Sequence, residues 1–174
     1  MPLYTLPAAD EYAPYYGKYI ERVGPDPLAA LAAQAASTAA LLAATPESKA
    51  SYRYAEGKWT VREVIAHMSD TERVFAYRAL RVGRGDETAL PGFDENLFAA
   101  NCAAEGRTLA DVAAEFAAVR AASLALFRSF TPEAIGRRGT ASGNPVTVRS
   151  LLAMTAGHDL HHVALLRDRY GLAG

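Results

Sequence analysis

The run Thr60-Val61-Arg62-Glu63-Val64-Ile65-Ala66-His67-Met68-Ser69-Asp70-Thr71-Glu72 carries its own helix start. Thr60 followed by Glu63 is a capping box: the hydroxyl can accept from the amide three residues on, and the carboxylate can reach back to the Thr60 amide. Val64, Met68, Thr71, Phe75 and Arg78 then recur at helical intervals up to Gly83, which is the spacing of one helix face. His67 sits beside Val64, Met68 and Thr71 and points inward with them. The pattern predicts a helix over 60–82. Three more helices follow on either side. Asp26-Pro27 is a cap with proline at the first helical position, and Leu28, Leu31, Ala35, Thr38 and Leu42 run on to Thr45-Pro46, for a helix over 27–44. Thr108-Leu109-Ala110-Asp111 is a similar start with Asp in place of Glu or Gln. Leu109, Val112, Phe116, Val119, Ser123, Leu126 and Phe130 continue it over 108–130. Thr147 caps a helix over 148–169, with Leu151, Leu152, Thr155, His158, His162, Leu165 and Leu166 along one side.

No strand alternation competes with these four, so the expected fold is all-α, a four-helix bundle. The stretch 83–107 is too long for a tight turn and can cross an end of the bundle, which argues against simple up-down-up-down connectivity. Within it Asp94-Glu95-Asn96-Leu97-Phe98 can form a short helix, and Thr131-Pro132-Glu133 can open one more turn. Residues 1–25 hold five of the nine Tyr and four of the nine Pro. They read as an irregular arm packed on the body of a single domain spanning 1–174.

Composition narrows the function classes. The chain has 174 residues, a formal net charge of -1 and 37 Ala, the residue with the highest helix propensity. Its one Cys, Cys102, excludes an intramolecular disulfide and any Cys-based zinc or iron–sulfur site. Fifteen Arg and three Lys against 19 acidic residues leave no general basic field for nucleic acid. The start, Met1-Pro2-Leu3-Tyr4-Thr5, has no basic segment followed by an apolar one. Gln34, Ser37 and Thr38 interrupt the Ala-rich stretch from Leu28 to Ala44. The expectation is a soluble cytoplasmic protein with no membrane span, acting on a small molecule.

Three of the four His fall within Gly157-His158-Asp159-Leu160-His161-His162. His158 and His162 are four apart, so both rings can face one point on one side of a helix, as when a helix gives two nitrogens to one metal. His161, three after His158, is the rival second ligand. The apolar stripe through Thr155, Leu165 and Leu166 favours His162. With His67 on another helix, three inward imidazoles would make a site that leaves one coordination position open. Taken alone, an inward His is more often a hydrogen-bonded core residue, and it is the combination that points to metal. Position 159 is Asp, so the His-Glu-x-x-His pattern of zinc peptidases fails. Val64 and Thr155 stand where a di-iron carboxylate bundle would place Glu.

The runs Gly57-Lys58-Trp59-Thr60-Val61-Arg62-Glu63-Val64-Ile65-Ala66-His67-Met68-Ser69-Asp70-Thr71-Glu72 and Gly157–His162 together resemble the second-helix signature and the metal-binding last helix of the DinB-like superfamily. They resemble in particular the branch that includes YfiT-type metal-dependent hydrolases and bacillithiol transferases. The match extends from about Leu28 to the end. The resemblance implies up-down-down-up topology, a homodimer, and a divalent metal, zinc or nickel, held by His67, His158 and His162, with His161 a neighbour. It also implies transfer of a low-molecular-weight thiol cosubstrate to an electrophile, isomerisation assisted by such a thiol, or hydrolysis. Beside it stands the alternative of a non-catalytic bundle that binds a metal or a partner. Asp94 and Arg78 are the catalytic candidates to watch, Arg78 because it continues the His67 face and can bind a carboxylate. Asp70, Glu72 and Asp159 are expected to be solvated or intrahelical partners, Trp59 a packing anchor, and Cys102 no nucleophile.

Overall fold

The computed structural model describes residues 4–173; residues 1–3 of the arm and Gly174 lie outside the described part. Each long helix opens on a side-chain cap. Asp26 accepts from the Ala29 amide at 3.0 Å, starting α2 (Pro27–Ala44) after the single-turn α1 (Gly17–Ile20). Full capping boxes open α3 (Val61–Gly83) at Thr60–Glu63, α5 (Leu109–Arg128) at Thr108–Asp111 and α7 (Val148–Asp168) at Thr147–Ser150. Between them lie the short α4 (Glu95–Asn101) and α6 (Pro132–Ile135), capped by Asp94 and Thr131 as their sequences suggest. Each cap of this kind stabilises its helix by about 0.5–2 kcal/mol.

Two apolar clusters fix the direction of every helix. Leu41, Leu42, Val61, Val64, Leu109, Val112 and Leu166 share one end of the bundle. Leu31, Phe75, Val82, Phe127, Leu151 and Leu152 share the other. The first end therefore holds the C-termini of α2 and α7 and the N-termini of α3 and α5, which is up-down-down-up. α3 packs on α5 and α7, and α2 packs on the same two. Because α3 and α5 run parallel, the segment between them travels the length of the bundle beside α3, where α4 lies. The sequence suggests a crossing over one end; the parallel pair requires a lengthwise one.

A two-stranded hairpin, β1 (Arg138–Ala141) and β2 (Asn144–Thr147), precedes α7. The sequence gives no alternation here. The hairpin depends on its Ser142-Gly143 turn, with φ of 53° and 73°, the handedness that suits strand twist. The arm is packed down. Buried Tyr4 donates to the Phe127 carbonyl at 2.8 Å, and buried Glu11 accepts from Thr147 and Arg149. α1 lies against α7 so closely that a Cβ at Gly157 would overlap the Tyr19 carbonyl. Among the described residues α2 alone is long and apolar enough to cross a membrane, with mean hydropathy 1.5. In this fold it is a bundle helix: Gln34 Nε2 donates to the Ala156 carbonyl and Thr38 Oγ1 to Asp159 Oδ2.

Candidate metal centre

His67 lies two turns into α3, and His158 and His162 lie one turn apart on α7, the antiparallel neighbour of α3. The pairing brings their rings to one point. His158 Nε2 is 3.0 Å from His67 Nε2 and 3.0 Å from His162 Nε2. A tetrahedral ion with bonds of about 2.0–2.1 Å to nitrogen places its ligand atoms roughly 3.3–3.4 Å apart, close to this spacing. All three residues are buried. His161 is not in this group. It is half-buried, with its ring 5.1 Å from that of Tyr19. Between the two rivals, the geometry places His162 with His67 and His158.

The electrostatics suit a cation. Burial, reinforced by His161, lowers the His67 pKa from 6.5 to about 4. Burial and the neighbouring imidazoles hold His158 and His162 well below their usual range. At neutral pH all three are uncharged, the form that ligates metals. His158 Nε2 faces two other ring nitrogens, yet a neutral imidazole carries only one N–H. A divalent ion at their meeting point would accept all three lone pairs, so the donor set fits one. His67 Nδ1 lies 3.4 Å from Thr71 Oγ1, and His162 Nδ1 is buried without a hydrogen-bond partner.

The imidazoles form the floor of a cavity of about 630 Å³, within the range of small-molecule sites. Its walls come from separate parts of the chain: Tyr15, Tyr16, Lys18 and Tyr19 of the arm, Trp59 before α3, Phe75 of α3, and Phe93, Asp94 and Glu95 of the crossover. Trp59 is more than a packing anchor, since its ring stands 4.7 Å from that of His67. Asp94 Oδ1 accepts from the amides of Asn96 and Leu97, so the residue caps α4 while its side chain lines the cavity. Arg78 is committed elsewhere: its guanidinium donates to the Pro91 carbonyl at 2.8 Å and to Ser142 Oγ at 3.0 Å, holding the crossover to the hairpin. Asp70 pairs with Arg73 three residues on, as an intrahelical partner. Cys102 lies outside the cavity lining, its thiol against the Ala99 carbonyl.

Two expectations need correction. Glu72 and Asp159 are neither solvated nor intrahelical partners. Both are buried and both bind Arg120, at 2.9 and 3.0 Å, with side-chain exposures of 2–3% throughout. Arg120 also donates to the Leu31 carbonyl, and Thr38 donates to Asp159, so one network joins all four long helices next to His158. Burial pushes the Asp159 carboxyl up against the opposing pull of Arg120 and Thr38. Sequence reading missed Arg120. The available signal was its position four after Phe116 and four before Leu124, on a core face.

The comparisons agree with this architecture. A family model described as the DinB superfamily matches residues 30–166. YfiT from Bacillus subtilis, described as a probable metal-dependent hydrolase with an unusual four-helix bundle topology, superposes with a TM-score of 0.71. The two are 19% identical, over 97% of this chain and 95% of that one. A mycothiol-dependent maleylpyruvate isomerase superposes with a TM-score of 0.68 at 17% identity, over 89% of this chain and 62% of that one. At such identities the likeness shows the fold. No curated protein matches the sequence.

Proposed function

The chain belongs to the DinB superfamily, and from that premise we propose that it is a metal-dependent enzyme whose His67, His158 and His162 hold one divalent ion, zinc or nickel, for thiol transfer or hydrolysis. The observation that carries the reading is the convergence of three buried, neutral imidazole nitrogens on the floor of an aromatic-walled cavity. The ion, when bound, lowers the pKa of a water or thiol at its open position and so supplies a nucleophile near neutral pH. The chain's own residues do the rest. Thr71 stands against His67 Nδ1, and the Arg120 network fixes the spacing of α3 and α7. Trp59, Tyr19 and Phe75 surround the imidazoles and limit access of bulk water. Since Cys102 lies outside the cavity, a thiol nucleophile would come from a low-molecular-weight cosubstrate.

Protein purified without chelator is expected to carry about one divalent ion per chain by elemental analysis, and His158→Ala none, because a three-ligand site loses one ligand. Wild-type protein that neither carries nor takes up zinc or nickel would overturn the reading. A panel of low-molecular-weight thiols against electrophiles, and of hydrolysable esters and amides, then separates transfer from hydrolysis. A metal-loaded protein inactive across both panels would support the alternative, a metal-binding bundle without catalysis.

A further inference from the structure

The arm reaches the cavity from outside the segment that matches the family, which begins at residue 30, whereas α1 ends at Ile20. Its position is rigidly tied to the histidines. α1 touches α7 at Gly157, the residue before His158, where no side chain fits. The Tyr19 ring then stands edge-on to His158 at 5.8 Å. The ammonium of Lys18 stands over the same ring, 5.0 Å from its centroid, and 3.8 Å from the centroid of Tyr15. The Tyr19 ring thus neighbours both the amine and the imidazole of His158.

Lys18 lines the cavity and, among the described residues, makes no ion pair. Arg22, one turn on and outside the cavity lining, donates to the Lys18 carbonyl, and Glu21 beside it offsets its charge. Asp94 and Glu95 line the cavity from the crossover, which packs on α3 instead of α7. The lining thus holds one cation, Lys18 of the arm, and two carboxylates, Asp94 and Glu95 of the crossover, with Tyr16, Trp59, Phe75 and Phe93 supplying apolar surface.

We propose that Lys18 is the anion-docking residue of this cavity and that its substrate is a small carboxylate with an apolar, ring-sized body. The proposal rests on reading the cavity as a substrate site. Lys18 takes the carboxylate, the aromatic side chains take the body, and Asp94 and Glu95 disfavour the reversed orientation. The reacting end is thereby directed toward the three imidazoles. The arm, and not the family-matched core, then decides which molecules enter.

Trp59 is the only tryptophan of the chain and lines the cavity, so its fluorescence reports occupancy. Full-length protein, zinc-loaded and metal-free, is titrated with benzoate, benzamide and benzylamine, which share a ring and differ in charge. The expected result is benzoate bound about tenfold more tightly than benzamide, the scale of one charge-assisted hydrogen bond, with benzylamine weakest. Lys18→Met is expected to bring benzoate to within about twofold of benzamide, while Lys18→Arg keeps the preference. A benzoate preference that survives in Lys18→Met, as direct ligation of the ion would give, overturns the proposal. So does tightest binding of benzylamine, or no response to benzoate. Zinc uptake is measured on the same samples. Failure to bind zinc with a Lys18-dependent benzoate preference would reject the metal reading alone.

Discussion

Arg120 never reaches the cavity, yet it is the residue through which α2, α3, α5 and α7 meet. Arg120→Met would leave the Glu72 and Asp159 carboxylates buried without their cation, and breaking a buried pair in this way costs about 3–5 kcal/mol. Urea denaturation should show that loss. Replacing all three residues together by apolar ones of similar volume should recover much of it, since uncompensated charge and not lost packing is the cause. The histidines set a second, pH-dependent term. An unfolded imidazole gains its proton near 6.5, whereas His67 in the fold does so only near 4. Between those values the unfolded state binds more protons, so stability falls as pH falls. The urea midpoint of metal-free protein should therefore drop from pH 6.5 to 4, and less steeply in His67→Gln. Equal slopes in the two proteins would contradict this assignment.

The elements are local objects, and most of their ends follow from caps. Thr147 does two jobs, since its hydroxyl accepts from the Ser150 amide and donates to Glu11 of the arm. Thr147→Ala should cost about 1–2 kcal/mol in thermal or urea unfolding, at the upper end for a cap. The contact of α1 with α7 is tighter still. Gly157→Ala places a methyl group on the Tyr19 carbonyl, and overpacking of this kind costs about 1–3 kcal/mol. The strain is relieved by displacing α1, so limited proteolysis should cut the arm around residues 12–25 faster than in wild type. Zinc uptake should persist, because the imidazoles stay on α3 and α7. Loss of zinc with an intact arm would show that the strain runs into α7 instead.

At the scale of the molecule, the site exists because α3 and α7 are antiparallel neighbours, and the crossover exists because α3 and α5 are parallel. A metal bound across α3 and α7 stabilises the fold by mass action, about 2.7 kcal/mol at a hundredfold excess over its dissociation constant. For a chain of this size that is a Tm rise on the order of 5–10 °C. Calorimetry with and without added zinc measures it, and His162→Ala should remove the shift. An equal shift in His162→Ala would place the ion elsewhere.

The four long helices were legible in the amino-acid sequence because caps and helical periodicity act within a few residues, as at Thr60–Glu63 and Asp26-Pro27. The inward set of His67, His158 and His162 was legible for the same reason. Tertiary structure decided what depends on residues far apart in the chain. It brought the ring of His162, which the apolar stripe already favoured over His161, to those of His67 and His158 through contact of α7 with α3. It buried Glu72, Arg120 and Asp159, whose charges offset one another only once three helices meet. It also brought Lys18 and Tyr19 beside the imidazoles, through an approach at Gly157 that no periodicity encodes. Local hydrogen bonds and hydrophobic spacing determined the elements; long-range packing determined the cavity they enclose.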